Sequence, residues 1–441
     1  LLLQTEKLKG EDKVKRSFVK SLFVILFLLA CMAASVPAVE VALTPVAEAS
    51  VRNGGNNAPA SPAGCEDGHW VGTWAASQQL VEPHNMPPKP GLANNTLRQV
   101  VRVSIGGERI RLKLSNEYGN APLEIKAVHL AQSDGLYRIK PETGIMVTFN
   151  GSPSVTLPPG QTAVSDPMDY ALPSLTRMAI TIHFGEVPTA ITGHPGSRST
   201  SYISTNTAVD SVRMPAPAVT NRWYIISGID VCTSNPKAAA VVTLGDSITD
   251  GLGSIPNQDN RWPDILAGRL QADEVTAHIA VLNHGIGGNA VISGGLGPTV
   301  YRRFKRDVLE QSGVRYLIIL AGVNDIGGSH SPNIAQQLIR AYERFVEQAH
   351  EHNIYVYAGT ILPFGGSQYD NPLREEARKA VNNWIRTSGV FDAVIDFDLA
   401  LRDPDYPDLL DPAYDSGDHL HPNAAGYQRM GEVIDLTLFT R

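Results

Sequence analysis

Ala239-Ala240-Val241-Val242-Thr243-Leu244-Gly245-Asp246-Ser247 sets a short apolar, partly β-branched run against a glycine turn that ends on a serine. A run of this length, stopped by glycine, reads as a buried strand. Four similar runs follow at Ala280 to Asn283, Tyr316 to Leu320, Ile354 to Gly359 and Ala393 to Phe397. Amphipathic stretches lie between them, at Trp262 to Gln271, Val300 to Gln311, Ile334 to His350 and Leu373 to Arg386. Strands alternating with helices predict a parallel sheet covered on both faces, an α/β domain over residues 233–441. Ligands bind such sheets at the carboxyl ends of the strands.

Upstream the rhythm is β. Val101, Val103 and Ile105 alternate with Arg102 and Ser104, Gly106-Gly107 turns the chain, and Ile110, Leu112 and Leu114 alternate with Arg111, Lys113 and Ser115. Further alternating segments run from Ile145 to Phe149, Ser154 to Leu157, Met178 to Phe184 and Trp223 to Ile229, punctuated by Pro and Gly. An all-β sandwich over residues 67–232 is expected. Trp70, Trp74 and Trp223 fall in or beside its strands and are expected in its core rather than on a glycan-binding face.

The N-terminal part reads differently. Lys15, Arg16 and Lys20 precede an uncharged run from Ser21 to Met32, then small residues and Val36-Pro37-Ala38. This is the pattern of a secretory signal peptide, placed at residues 1–38, and the run is too short for a comfortable membrane span. The charged stretch before Val14 is unlike the start of such a segment, so Val14 reads as the true start. Leu28-Leu29-Ala30-Cys31 is similar to a lipoprotein cleavage site with an unusual Leu before the Ala; ordinary secretion or periplasmic export is the preferred reading over anchoring through Cys31. Residues 39–66, rich in Ala, Pro, Asn and Gly, form a flexible linker.

The apolar share of 43% and charged share of 18% are those of a soluble globular protein. The net charge is −7, and removing residues 1–38, which carry six basic and three acidic side chains, leaves −10. That acidity disfavours nucleic acid and anionic membrane surfaces as partners. Of the three cysteines, Cys65 and Cys232 remain in the exported chain, one on each side of the β region. In an oxidising compartment they are expected to form a disulfide pinning its two ends, with two buried thiols as the other reading. Neither has a second cysteine at metal-ligand spacing.

Four short motifs carry the chemistry: Gly245-Asp246-Ser247, Gly285-Ile286-Gly287-Gly288-Asn289, Gly322-Val323-Asn324-Asp325 and Asp418-His419-Leu420-His421-Pro422. Each has an ordinary explanation. Ser247 fits a helix cap, Gly285 to Asn289 a tight turn, and Asn324 an Asx-turn. The glycine run lacks the full spacing and acidic partner of a dinucleotide loop, and His419-Leu420-His421 lacks the third ligand zinc would need. Taken together, in this order at strand ends, they supply a serine nucleophile, oxyanion donors and a carboxylate-backed histidine, the set that acyl transfer needs. Asp418 and His421 stand three residues apart, so the carboxylate can reach one ring nitrogen while the other faces the serine. Asp246, Asp250 and Asp325 are expected to hydrogen-bond the loops rather than react. No cofactor and no metal is called for.

These motifs resemble the four blocks of the SGNH, or GDSL-like, hydrolase superfamily over about residues 238–436. The resemblance implies a flavodoxin-like three-layer domain with Ser247, Asp418 and His421 as a triad. It also implies an oxyanion hole from the Ser247 N–H, Gly288 and Asn324. The first block reads Gly-Asp-Ser-Ile where the family has Gly-Asp-Ser-Leu, a volume-conserving change. Val71-Gly72-Thr73-Trp74-Ala75-Ala76-Ser77 is similar to a segment of secreted bacterial members that carry a β-domain ahead of the hydrolase. An α/β-hydrolase elbow is disfavoured, since it needs glycine where Thr249 stands. The implied activity is serine-dependent hydrolysis of carboxylic esters, with acetyl groups of polysaccharide as the leading substrate. A short-chain aryl or lipid esterase is the enzyme alternative, and a catalytically silent carbohydrate-binding protein the alternative of another class. Oligomeric state is not legible.

Overall fold

The computed structural model describes Cys65 and residues 68–441. The expected signal segment, Cys31, the expected start at Val14 and the expected linker apart from Cys65 lie outside the described residues.

The α/β region is a five-stranded parallel sheet in the order Ile279–Gly285, Ala239–Gly245, Val314–Leu320, Tyr355–Gly359, Ala393–Ile395. All seven residues of the Ala239–Gly245 strand are buried, as expected of a central parallel strand sheathed on both faces. The helices Trp262–Ala272, Ile334–Glu351 and Pro372–Thr387 supply the cover. In Ile334–Glu351, Ile334, Leu338, Ala341, Tyr342, Phe345 and Ala349 form the buried stripe, at spacings of three and four. The expected helix from Val300 to Gln311 divides into an α segment, Val300–Phe304, and a π-helical turn, Lys305–Leu309. Arg303 and Asp307, four residues apart across this division, form a buried ion pair.

Strand order reverses at Ala239–Gly245, because the chain first adds Ile279–Gly285 on one side and then Val314–Leu320 on the other. Gly245, Gly285 and Leu320 are paired at one level of the sheet, so the segments that leave them start side by side. Such a switch point is where α/β sheets form crevices.

The region from His69 to Thr233 is antiparallel. One sheet pairs His69–Ala75, Ile226–Thr233, Gly107–Ser115 and Thr162–Val164, with Met168–Leu172 also on Gly107–Ser115. A second runs Ala218–Thr220, Ser201–Ser204, Thr96–Arg102, Arg177–Phe184, Leu123–Gln132, Ile145–Val147, with Val155–Leu157 also on Leu123–Gln132. Val101, Ile110, Leu112 and Leu114 are buried, as their alternation requires. Trp70, Trp74 and Trp223 are buried too, and Trp74 meets Trp223 edge to face at 5.0 Å, so these rings are core. Cys65 and Cys232 form a disulfide. One hydrophobic core runs through both regions, and Ala76 bridges Asn283 in the α/β sheet. Among the described residues no helix is long and apolar enough to cross a membrane.

Candidate active site

Ser247 opens a four-residue helix, Ser247–Asp250, just after the Ala239–Gly245 strand. The carboxylate of Asp246 caps that turn by accepting from the Ile248 N–H at 3.0 Å. Gly245 was expected to serve a sharp turn; the structure gives a different reason. A Cβ there would lie 2.1 Å from Thr249 Oγ1 and 2.4 Å from Leu320 O, so close packing under the serine turn excludes any side chain.

The Ser247 hydroxyl lies 2.8 Å from His421 Nε2, and His421 Nδ1 lies 2.6 Å from Asp418 Oδ2. The histidine turn is held from within. Asp418 Oδ1 accepts from the N–H groups of Leu420 and His421, at 3.0 and 2.8 Å. The Ser416 N–H donates to His421 O. The last helix starts at Ala424, where the Asn423 side chain caps it through the Gly426 N–H. Although burial works against its charge, the His421 N–H and imidazole hold the Asp418 carboxyl below its ordinary range. An ionised Asp418 accepts a hydrogen bond from Nδ1–H, which leaves the Nε2 lone pair facing the Ser247 hydroxyl.

Gly288 adopts φ +67°, a conformation glycine takes freely and other residues rarely. Neither its N–H nor that of Ser247 donates to another group among the described residues. Asn324 stands in the first turn of Val323–Gly328; its Nδ2 donates to Asn289 O at 3.0 Å and its Oδ1 accepts from the Tyr369 hydroxyl at 2.9 Å. The structure therefore joins Ser247, Asp418 and His421 in one hydrogen-bonded chain, and links the second and third motifs through Asn289 and Asn324.

Residues 243–429 match the model of the GDSL-like lipase/acylhydrolase family. The C-terminal region is a GDSL-like hydrolase domain. Solved structures similar to it include a protein of the G-D-S-L family from Desulfitobacterium hafniense, at 26% identity and TM-score 0.35, covering 44% of this chain and 97% of that one. A GDSL-like lipase from Bacteroides thetaiotaomicron is 21% identical at TM-score 0.31, covering 45% and 87%. An acetylxylan esterase from Geobacillus stearothermophilus is 20% identical at TM-score 0.35, covering 46% and 94%. A comparison with curated proteins finds no match.

Under the GDSL-like domain's strand ends lies a charged network that sequence reasoning did not find. Arg303, wholly buried, donates to Gly245 O at 2.8 Å, His284 O at 2.7 Å, Asn289 Oδ1 at 3.1 Å and Asp307 Oδ2 at 3.0 Å. One guanidinium thus ties the strand before Ser247 to the loop after Gly288. Ser77, at the end of the β-region segment that opens Val71-Gly72-Thr73-Trp74, donates to Asp307 Oδ2 at 2.7 Å and sits 3.0 Å from His284 Nδ1. Burial disfavours charge on Asp307, but Arg306 and Arg303 outweigh it and hold the carboxyl well below its ordinary range. Burial also pushes His284 down to about 4, although Asp307 lies 3.8 Å away.

The other acidic residues brace loops, as expected. Asp325 accepts from the Val291 and Ile292 N–H groups at 2.7 and 2.9 Å. Asp250 meets His194 Nε2 and Arg198 Nη2, both at 2.9 Å and both from the β region. Burial, only partly offset by the Ile248 N–H, pushes the Asp246 carboxyl up to about 7, and burial also raises that of Asp325. The signal for Arg303 and Asp307 was absent from the sequence, because charged residues four apart in a helix ordinarily mark an exposed face.

Proposed function

We propose that this protein is a serine carboxylic ester hydrolase in which Ser247, His421 and Asp418 act as the triad and the Ser247 N–H, Gly288 N–H and Asn324 Nδ2 as oxyanion donors. The observation that carries the reading is the unbroken chain from Ser247 Oγ through His421 to Asp418. Ser247 attacks the ester carbonyl as its proton passes to Nε2 of His421, and Asp418 stabilises the imidazolium. The carbonyl oxygen takes the negative charge among the three donors. Collapse expels the alcohol, which takes the proton back from Nε2, and leaves an acyl group on Ser247. Water then repeats the sequence and releases the acid.

The substrate we propose is an acetyl ester on polysaccharide outside the cytoplasm. The Cys65–Cys232 disulfide supports an oxidising compartment, and the net charge of −7 supports a neutral or polyol substrate over an anionic one. In this reading the β region is a structural partner of the hydrolase domain, since its Ser77, His194 and Arg198 bear on the residues under and behind Ser247. A specific observation favours a second substrate class: the half-exposed Leu296 lies over Gly288, where a Cβ would come within 3.0 Å of it, and such an apolar group suits a longer acyl chain.

Acetate release from acetylated xylan, set beside hydrolysis of p-nitrophenyl acetate, butyrate and octanoate, separates the two. Release from polymer with little octanoate activity is the expected result. Octanoate preference with no release would move the substrate to lipid or aryl esters, and silence on every ester would sink the enzymatic reading.

A further inference from the structure

We propose that Tyr369 is a positioning residue for the Asn324 amide, holding its carbonyl oxygen so that one Nδ2 hydrogen bonds Asn289 and the other is presented to the oxyanion. The inference rests on the reading of Asn324 as an oxyanion donor and extends it to a residue outside the four motifs.

An asparagine amide has an accepting end and a donating end, and the two can exchange by a half-turn about χ2. Here both ends are claimed. The Asn289 carbonyl can only accept, so it selects Nδ2; the Tyr369 hydroxyl, 2.9 Å from Oδ1, donates to the other end. One N–H of Nδ2 is thereby left over in a fixed direction. The hydroxyl also draws electron density through the amide, which strengthens that remaining donor.

Both partners of the amide are themselves anchored. Asn289 receives Arg303 on its Oδ1 and donates from its Nδ2 to Leu296 O at 2.7 Å and Pro298 O at 2.8 Å. The Tyr369 ring lies against Gly327, in the same short helix as Asn324. A Cβ at Gly327 would fall 2.4 Å from that ring, so only glycine admits it. Phe364 packs edge-on to the ring at 6.5 Å. The intervening turn is braced by Gly366 N–H on Asp370 Oδ2 at 2.9 Å and Tyr369 N–H on Ser367 Oγ at 3.0 Å.

Tyr369→Phe removes the hydroxyl and leaves the ring seated. Wild type, Tyr369→Phe, Asn324→Ala and the double variant are assayed with p-nitrophenyl acetate, and thermal unfolding is read on each. Tyr369→Phe should lower kcat on the order of 3- to 30-fold, with KM within about twofold and an unchanged melting midpoint. In the Asn324→Ala background the same change should cost nothing further. Wild-type kcat in Tyr369→Phe, or losses that multiply in the double variant, would overturn the inference. A slow Asn324→Ala beside an unimpaired Tyr369→Phe would overturn this inference alone. Wild-type turnover in Asn324→Ala would take down the oxyanion role and this inference together.

Discussion

His194, carried on a strand of the β region, meets Asp250 of the Ser247 turn at 2.9 Å, with neither side chain open to solvent. Its other ring nitrogen lies 3.0 Å from Ser77 O, and its ring stacks on Trp223. The turn that carries the proposed nucleophile is therefore held in part from the β region. Although burial works against charge on Asp250, Arg198 and His194 keep its carboxyl below the ordinary range.

His194→Ala should cost about 1–3 kcal/mol of stability by leaving a buried acceptor short of a partner. It should also lower kcat on p-nitrophenyl acetate, because the turn after Ser247 loses a brace. Urea unfolding and steady-state kinetics check both, and a variant indistinguishable from wild type would show that Arg198 alone suffices.

Asp307→Asn leaves Arg303 and Arg306 facing a neutral group at a site only 2% exposed. Breaking one side of a buried charge network is expected to destabilise by about 3–5 kcal/mol. Chemical denaturation would register this as a lower midpoint at unchanged slope.

Asp246 gives a pH signature. Its carboxyl is pushed up to about 7 in the folded chain, against about 3.9 for an unfolded aspartate. A raised folded value means the native state holds the extra proton between those limits. The associated stability is complete below about pH 4, falls by up to about 1.4 kcal/mol per unit as pH rises toward 7, and is flat beyond. Asp246→Asn keeps an acceptor for the Ile248 N–H and should remove this contribution. Urea unfolding from pH 4 to 8 measures the difference between wild type and variant, and parallel curves would rule the effect out.

Asp418→Asn should leave the chain folded and lower kcat on the order of 10³-fold, since an amide no longer fixes the histidine tautomer. Circular dichroism beside p-nitrophenyl acetate kinetics tests this. A loss under tenfold would mean that the half-exposed carboxylate is replaceable by solvent.

Much of this architecture was legible because it rests on local pattern. The apolar runs at Ala239 to Leu244 and Tyr316 to Leu320 each lie inside a strand, and the alternation from Ile110 to Leu114 gave its buried face. The contact of Asp418 with His421 was legible because the two stand three residues apart in one turn. The Ser77, His284, Arg303 and Asp307 cluster was not, since its members lie up to 230 residues apart and meet only after both regions pack. Tyr369 escaped for the same reason: nothing in the connection after Gly359 marks a tyrosine that will reach Asn324. The widened turn at Lys305–Leu309 was not legible, because hydrophobic period alone does not mark it.

The central claim is that Ser247 is the nucleophile, and covalent trapping tests it most directly. The protein is treated with diisopropyl fluorophosphate and the adduct is located by peptide mass spectrometry while residual activity on p-nitrophenyl acetate is followed. One adduct on Ser247, accumulating in step with the loss of activity and absent from Ser247→Ala, is the predicted result. Inactivation with Ser247 unmodified, or a Ser247→Ala variant that still turns over the ester, would contradict it.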